Sequence, residues 1–269
     1  MSANTRSLEN TMLKTRLKSM LRNSLPTLAM IALIPIWELV CWLFEVPEFI
    51  LPRPSAIAEA FVAVEPQRWL LHLGATLYIA LAGFALSILI SLPLAVLLVR
   101  SEFLNKTLFP ILVVIQSTPI IAIAPLLIVI MGTGDAPRLT ITCLITFFPL
   151  VVSATTGMLS TPEELIELSR SLRGGAIREI WQIRLPYAIP HIFSGLKVGI
   201  TLAVIGAVIA EFVAAEQGLG YFVQFSTSYF KIPQAFAALF FLSIVSLMLF
   251  KAVRWTQKIW FGWSLQKSS

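Results

Sequence analysis

The chain has 269 residues, of which 57% are hydrophobic and 13% charged, with a mean hydropathy of +0.85. That leaves too little polar surface to cover a soluble globule of this length, so the composition indicates an integral membrane protein. Nor does the net charge of +6 call for a nucleic acid partner, because membrane proteins retain positive charge in their cytoplasmic loops.

Residues 1–24 are basic, and Leu13, Leu17, Met20 and Leu21 share a face opposite Lys14, Lys18 and Arg22. This predicts an amphipathic segment lying on anionic membrane lipid, with a frayed basic tail as the competing reading. The basic region is too long for a signal peptide, and no small-x-small cleavage site follows it.

Six apolar runs then follow, at about 25–44, 74–98, 107–131, 138–158, 190–212 and 235–255. Each is near the ~20 residues that cross a bilayer, which predicts an all-α polytopic membrane protein with one six-span domain over residues 25–269. Fifteen Lys and Arg fall on one side of this topology and four on the other, which places both termini and the 160–190 loop in the cytoplasm.

Ionisable residues are scarce within the runs. Glu38 sits inside the first, where it faces a wet cavity or bonds a polar neighbour. Glu211 and Glu216 close the fifth run as path residues or solvated span-end carboxylates, and Lys197 can snorkel to the interface. Cys41 and Cys143 read as small core residues. In the third run Gln116, Ser117, Thr118, Pro119 and Pro125 interrupt regular helix bonding. Irregular backbone at membrane depth must be buried in protein or line a wet cavity, so this run is the leading candidate for part of a translocation path. A kink used only for packing is the rival.

Between the fourth and fifth runs lies PEELIELSRSLRGGAIREIWQIRLPYAIP, from Pro162. Thr161 with Glu164 forms a capping-box pattern, and Pro162 suits a first helical position. Leu165, Leu168 and Leu172 make an apolar stripe, and Gly174 and Gly175 end the helix. A second piece has Ile177, Ile180 and Trp181 on one side, has Arg178 and Arg184 on the other, and stops at Pro186. Such a pair suits docking of another protein. The chain contains no G-x-x-x-x-G-K-[ST], H-E-x-x-H or G-x-S-x-G pattern, so no catalytic residue, metal or cofactor is expected in it.

Glu167-Leu-Ser-Arg-Ser-Leu-Arg173, with Leu185-Pro186 after it, resembles the EAA loop of permease subunits from binding-protein-dependent ABC importers. Leu168 and Ser169 replace that pattern's alanines. Arg173 stands at its glycine, with Gly174 and Gly175 next, and a one-residue shift of the glycine would absorb the change. Leu51-Pro52-Arg53-Pro54-Ser55 resembles the family's external proline motif, Pro119, Ala122 and Pro125 its broken third span, and Ala210-Glu211 through Gly218-Leu219-Gly220-Tyr221 the stretch after its fifth. The last motifs resemble the branch handling nitrate, taurine, alkanesulfonates, bicarbonate, thiamine-pyrimidine or riboflavin-like compounds.

The resemblance implies a transport subunit of the bacterial inner membrane that pairs with a second, identical permease chain. It also implies two cytoplasmic ATPase copies carrying ATP and Mg, and an external binding protein. Glu163, Glu164, Glu167, Arg170, Arg173, Gly174, Arg178, Leu185 and Pro186 would couple to the ATPase. Gln116, Ser117, Pro119, Pro125, Glu38 and Glu211 are the path candidates. A self-sufficient secondary transporter or channel, or a scaffold that recruits a cytoplasmic protein, are the alternatives.

Overall fold

The computed structural model describes residues 32–265. The expected amphipathic segment 1–24 and the start of the first apolar run lie outside the described residues. Those described are helical, with no strand among them. The helices are α1 (Ala32–Leu43), α2 (Pro54–Ala63), α3 (Pro66–Arg100), α4 (Glu102–Gln116), α5 (Ile120–Met131) and α6 (Asp135–Leu159). Then come α7 (Glu163–Ser171), α8 (Ala176–Glu179), a π-turn (Ile180–Arg184), α9 (Leu185–Ala214), α10 (Leu219–Ser228) and α11 (Ile232–Trp260).

Four helices are each long and apolar enough to cross a membrane: α3, α6, the continuous 39-residue helix Ala176–Ala214, and α11. The pair α4 and α5, bent by 94°, makes a fifth if counted as one span. The helices outrun the apolar stretches that seed them. α3 begins at Pro66, where a missing N–H costs nothing, and buries Trp69 and His72 before the apolar run proper. Pro119 marks the break of the third run, whereas Pro125 lies inside α5. The break follows from Pro119 holding extended backbone, with ψ of 104°.

α6 packs between α3 and α9 because small residues let the backbones approach, as is usual where lipid removes any hydrophobic drive between helices. A Cβ placed on Gly83 would lie 2.6 Å from Thr142 Cγ2, and one on Gly195 would lie 2.7 Å from Ser153 Cβ. Around these contacts Phe84, Leu150, Ile200 and Val204 form the apolar core. At the end opposite the 160–190 segment, α2, α10 and α11 close the bundle with aromatic rings. Phe61 stacks on Trp69 at 5.2 Å between ring centroids, and Phe222 and Phe241 meet the same indole. Cys41 and Cys143 are buried and unpaired, consistent with a packing role.

Replacing Gly83 with Val drives two methyls into Thr142, where the neighbouring atoms belong to a fixed helix. Overpacking of this kind costs roughly 1–3 kcal/mol, and the purified variant should unfold at a lower temperature in detergent, followed by tryptophan fluorescence.

Candidate functional site

The 160–190 segment begins where α6 runs out of partners. Met158 is among the last four residues of that helix, whose carbonyls have no intrahelical donor. Thr161 Oγ1 donates to the Met158 carbonyl at 2.9 Å, so it does not cap α7. The expected capping box with Glu164 is therefore not formed. Pro162 takes the cap position, and Glu163 and Glu164 fill the first turn, where they complement the helix dipole.

Ile166 and Ser169 turn inward, while Leu165, Leu168 and Leu172 are 41%, 57% and 73% exposed. These leucines, with Ser169, Gly174, Arg178, Gln182 and Ile183, line a groove of about 260 Å³. Glu163, Glu164, Glu167, Arg170, Arg173 and Arg178 are all exposed on this segment. Arg178 Nε donates to Gln182 Oε1 at 2.7 Å across its rim. Ile180, expected beside Ile177 and Trp181, is buried while those two remain exposed. The π-turn that begins at Ile180 shifts the register and separates them.

Neither glycine supplies the turn after α7. Arg173 itself adopts the left-handed conformation, with φ of 56°. Its N–H donates to the Arg170 carbonyl and that of Gly174 to the Ser169 carbonyl, at 2.9 and 2.8 Å, the paired bonds of a Schellman ending. The expected one-residue glycine shift is not what happens. Gly174 serves close approach instead, since a Cβ there would strike Ser169 Oγ and the Ser169 carbonyl.

Pro186 likewise does not stop the second piece. Leu185 N–H reaches back five residues to the Ile180 carbonyl, and through this π-turn the helix runs past Pro186 into α9 without a break. Leu185 packs with Ala95, Ala154, Met158 and Ala188, anchoring the segment to the bundle. Arg184, expected on a free face, is 14% exposed. Its Nε donates to Glu179 Oε1 at 2.8 Å, and a second guanidinium nitrogen donates to Met158 O at 3.3 Å. Arg170 Nε approaches the other Glu179 oxygen at 3.8 Å. Helical spacing rules did not flag Glu179, because residues five apart do not face each other on an α-helix.

At the break between α4 and α5, Gln116, Thr118 and Pro119 line a cavity of about 400 Å³ whose walls include Ile145, Phe148, Leu202 and Ile205. Ser117 Oγ donates back to the Val113 carbonyl at 3.0 Å, closing α4. No side chain caps α5. Pro125 is exposed further along α5 and does not line this cavity.

Glu38 and Glu211 are outside the cavity as well, and both act as helix-capping acceptors. The Glu38 carboxylate accepts from Ser55 N and Oγ at 3.0 and 2.8 Å, tying α1 to the start of α2. Glu211 is 1% exposed, so it is not a solvated span-end carboxylate. Its Oε2 accepts from Gly220 N–H at 2.7 Å. The preceding donors of α10 are met by α3: Gly218 N–H by His72 Nδ1 at 3.2 Å and Leu219 N–H by Thr76 Oγ1 at 2.8 Å. Gly218, with φ of 124°, has no room for a Cβ against the Glu211 carboxylate. His72 and Thr76, four residues apart across the start of the second apolar run, were the available signal for this cap. Glu216 lines a separate cavity of about 680 Å³ at the same end, with Tyr78, Asp135 and Arg138.

Residues 83–260 match the family described as the binding-protein-dependent transport system inner membrane component. The chain belongs to this family. Among its relatives is a probable ABC transporter permease protein of Haemophilus influenzae, 34% identical over 86% of this chain and 94% of that protein. A formylaminopyrimidine transport permease protein of Halalkalibacterium halodurans is 32% identical over 88% of this chain and 95% of its own length. The fold resembles an inward-facing MetNI methionine ABC transporter structure, with a TM-score of 0.62 and 22% identity over 71% of this chain and 96% of that one. This permease is thus an inner-membrane transport component, a role that sets aside the self-sufficient transporter and the scaffold.

Two substitutions test the local geometry. Arg173→Gly relieves the left-handed strain and should raise the permease's unfolding temperature in detergent, by the equivalent of roughly 1 kcal/mol. Glu211→Ala leaves the Gly220 N–H buried without an acceptor and should cost roughly 1–3 kcal/mol in the same assay, with Glu211→Gln retaining most of the stability.

Proposed function

We propose that this permease forms the membrane path of an ATP-driven importer and couples it to a cytoplasmic ATPase through the 160–190 segment. The observation that supports this most is the exposed leucine stripe of α7. Three neighbouring exposed leucines flanked by the exposed Arg170, Arg173 and Arg178 suit a surface that another protein covers. Bidentate arginine contacts to ATPase carboxylates suit a rigid joint. Glu163, Glu164 and Glu167 face the same partner, Gly174 allows the close approach to Ser169, and Leu185, next to Pro186, fixes the segment to the bundle.

In this reading α1 belongs to a first span, the bent α4–α5 pair is the third, and six spans place both termini and the coupling segment in the cytoplasm. Two copies of the chain enclose the path, with two ATPases below, which carry ATP and Mg, and an external binding protein above. The basic N-terminus lies on lipid. Gln116 and Thr118 contribute the polar groups of the path beside Pro119 where α4 and α5 part, and Ser117 closes α4 next to them. The cargo is a small solute of the branch that includes the formylaminopyrimidine carrier. ATP binding favours one arrangement of the pair and the loaded binding protein another, since only differential affinity shifts such an equilibrium.

Mild-detergent purification of the tagged permease from its host should recover an ATPase at two copies per two permease chains. The substitutions Glu167→Ala and Arg173→Ala should each weaken that recovery or uncouple uptake from ATP hydrolysis. Intact assembly together with intact coupled uptake in both variants would defeat the docking role.

A further inference from the structure

The coupling segment joins α9 through a single π-turn, and the geometry points to Glu179 and Arg184 as the lock that sets the register of that joint. The inference rests on the proposed coupling role and adds to it a positioning pair. On a regular α-helix, residues five apart lie about 140° from one another around the axis and cannot bond. A π-turn brings i and i+5 together. Here backbone and side chains follow the same five-residue step: Leu185 N–H donates to the Ile180 carbonyl, and Arg184 Nε donates to Glu179 Oε1 at 2.8 Å. The two arrangements share one register.

The pair is also where three elements meet. Arg184 donates to the Met158 carbonyl at the end of α6, and Arg170 of α7 approaches Glu179 at 3.8 Å. Side-chain exposures of 12% for Glu179 and 14% for Arg184 keep water from replacing the bond, whereas Arg170, at 67%, sits at the surface. Loss of the pair frees the turn to relax to α-helical spacing. That relaxation turns the whole coupling segment by about 100° and moves it about 1.5 Å along the axis relative to α9. α7 would then no longer present its leucine stripe in a fixed direction. Glu179 and Arg184 are thus positioning residues: neither belongs to the exposed docking face, and both decide where that face points.

The test uses the complex of this permease with its co-purified ATPase, reconstituted in lipid. Spin labels at Ser171→Cys, outside the leucine groove, and Val198→Cys on α9 report the orientation of the segment, with labelled chains diluted into unlabelled ones. Native Cys41 and Cys143 are buried and do not compete for label. The unsubstituted pair should show a narrow distance distribution that shifts on addition of ATP. Glu179→Gln and Arg184→Gln should each broaden the distribution and abolish the ATP-dependent shift while the ATPase stays bound, and the double substitution should broaden it no further than either single one. A wild-type distribution and shift in Glu179→Gln, or additive broadening in the double variant, overturns the lock. Should Glu179→Gln not assemble, Arg184→Gln decides by the same readout, a wild-type distribution and shift overturning the lock. Absence of an ATPase from the unsubstituted preparation would count against the coupling role itself.

Discussion

Hydrocarbon offers no hydrogen bonds, so a helix interruption at membrane depth must be satisfied from within. Three interruptions in this molecule differ in how their backbone groups are met. Where α9 ends and α10 begins, buried side chains do it: Glu211 from α9 and His72 and Thr76 from α3 take the first donors of α10. Where α7 ends, the backbone does it through the left-handed Arg173 and its paired bonds. Where α4 parts from α5, Ser117 closes only one side, and the uncapped start of α5 is left beside the cavity that holds Gln116 and Thr118. The first two breaks are locked. The third leaves an uncapped helix start beside a cavity, which is why the proposed path is placed there.

This division separates scaffold from moving parts. α3, α6 and α9 approach through glycine contacts at Gly83 and Gly195 and behave as one packed unit. The coupling segment leaves that unit at the end of α6 and rejoins it at the start of α9, and Arg184 touches both. A force on α7 therefore acts on two spans at once, and on the cavity wall that α6 and α9 share through Phe148 and Leu202.

Much of this was legible in the sequence because apolar periodicity and proline punctuation report directly on membrane depth. The helical class, the long spans, the break at Pro119 and the leucine stripe all follow from such local rules. What was not legible depends on tertiary contact. Thr161 looked like a cap because the competing acceptor, Met158 O, becomes visible only once α6 ends beside it. Pro186 looked like a stop because a π-turn leaves no mark in residue spacing. Glu211 read as a path residue or a solvated carboxylate because the glycines that fold over it lie beyond the end of its own helix. The substitution of Arg173 for glycine suggested a displaced turn, whereas the backbone keeps its place and carries the strain.

The most direct test of this account is solute uptake by lipid vesicles containing either the permease alone or its complex with the ATPase and external binding protein. The complex should accumulate solute only with ATP inside the vesicle-equivalent cytoplasmic compartment, and the permease alone should accumulate none under any ion gradient. Uptake by the isolated permease driven by an ion gradient would contradict the account, since it would show a path that works without the partner that the leucine stripe is built to meet.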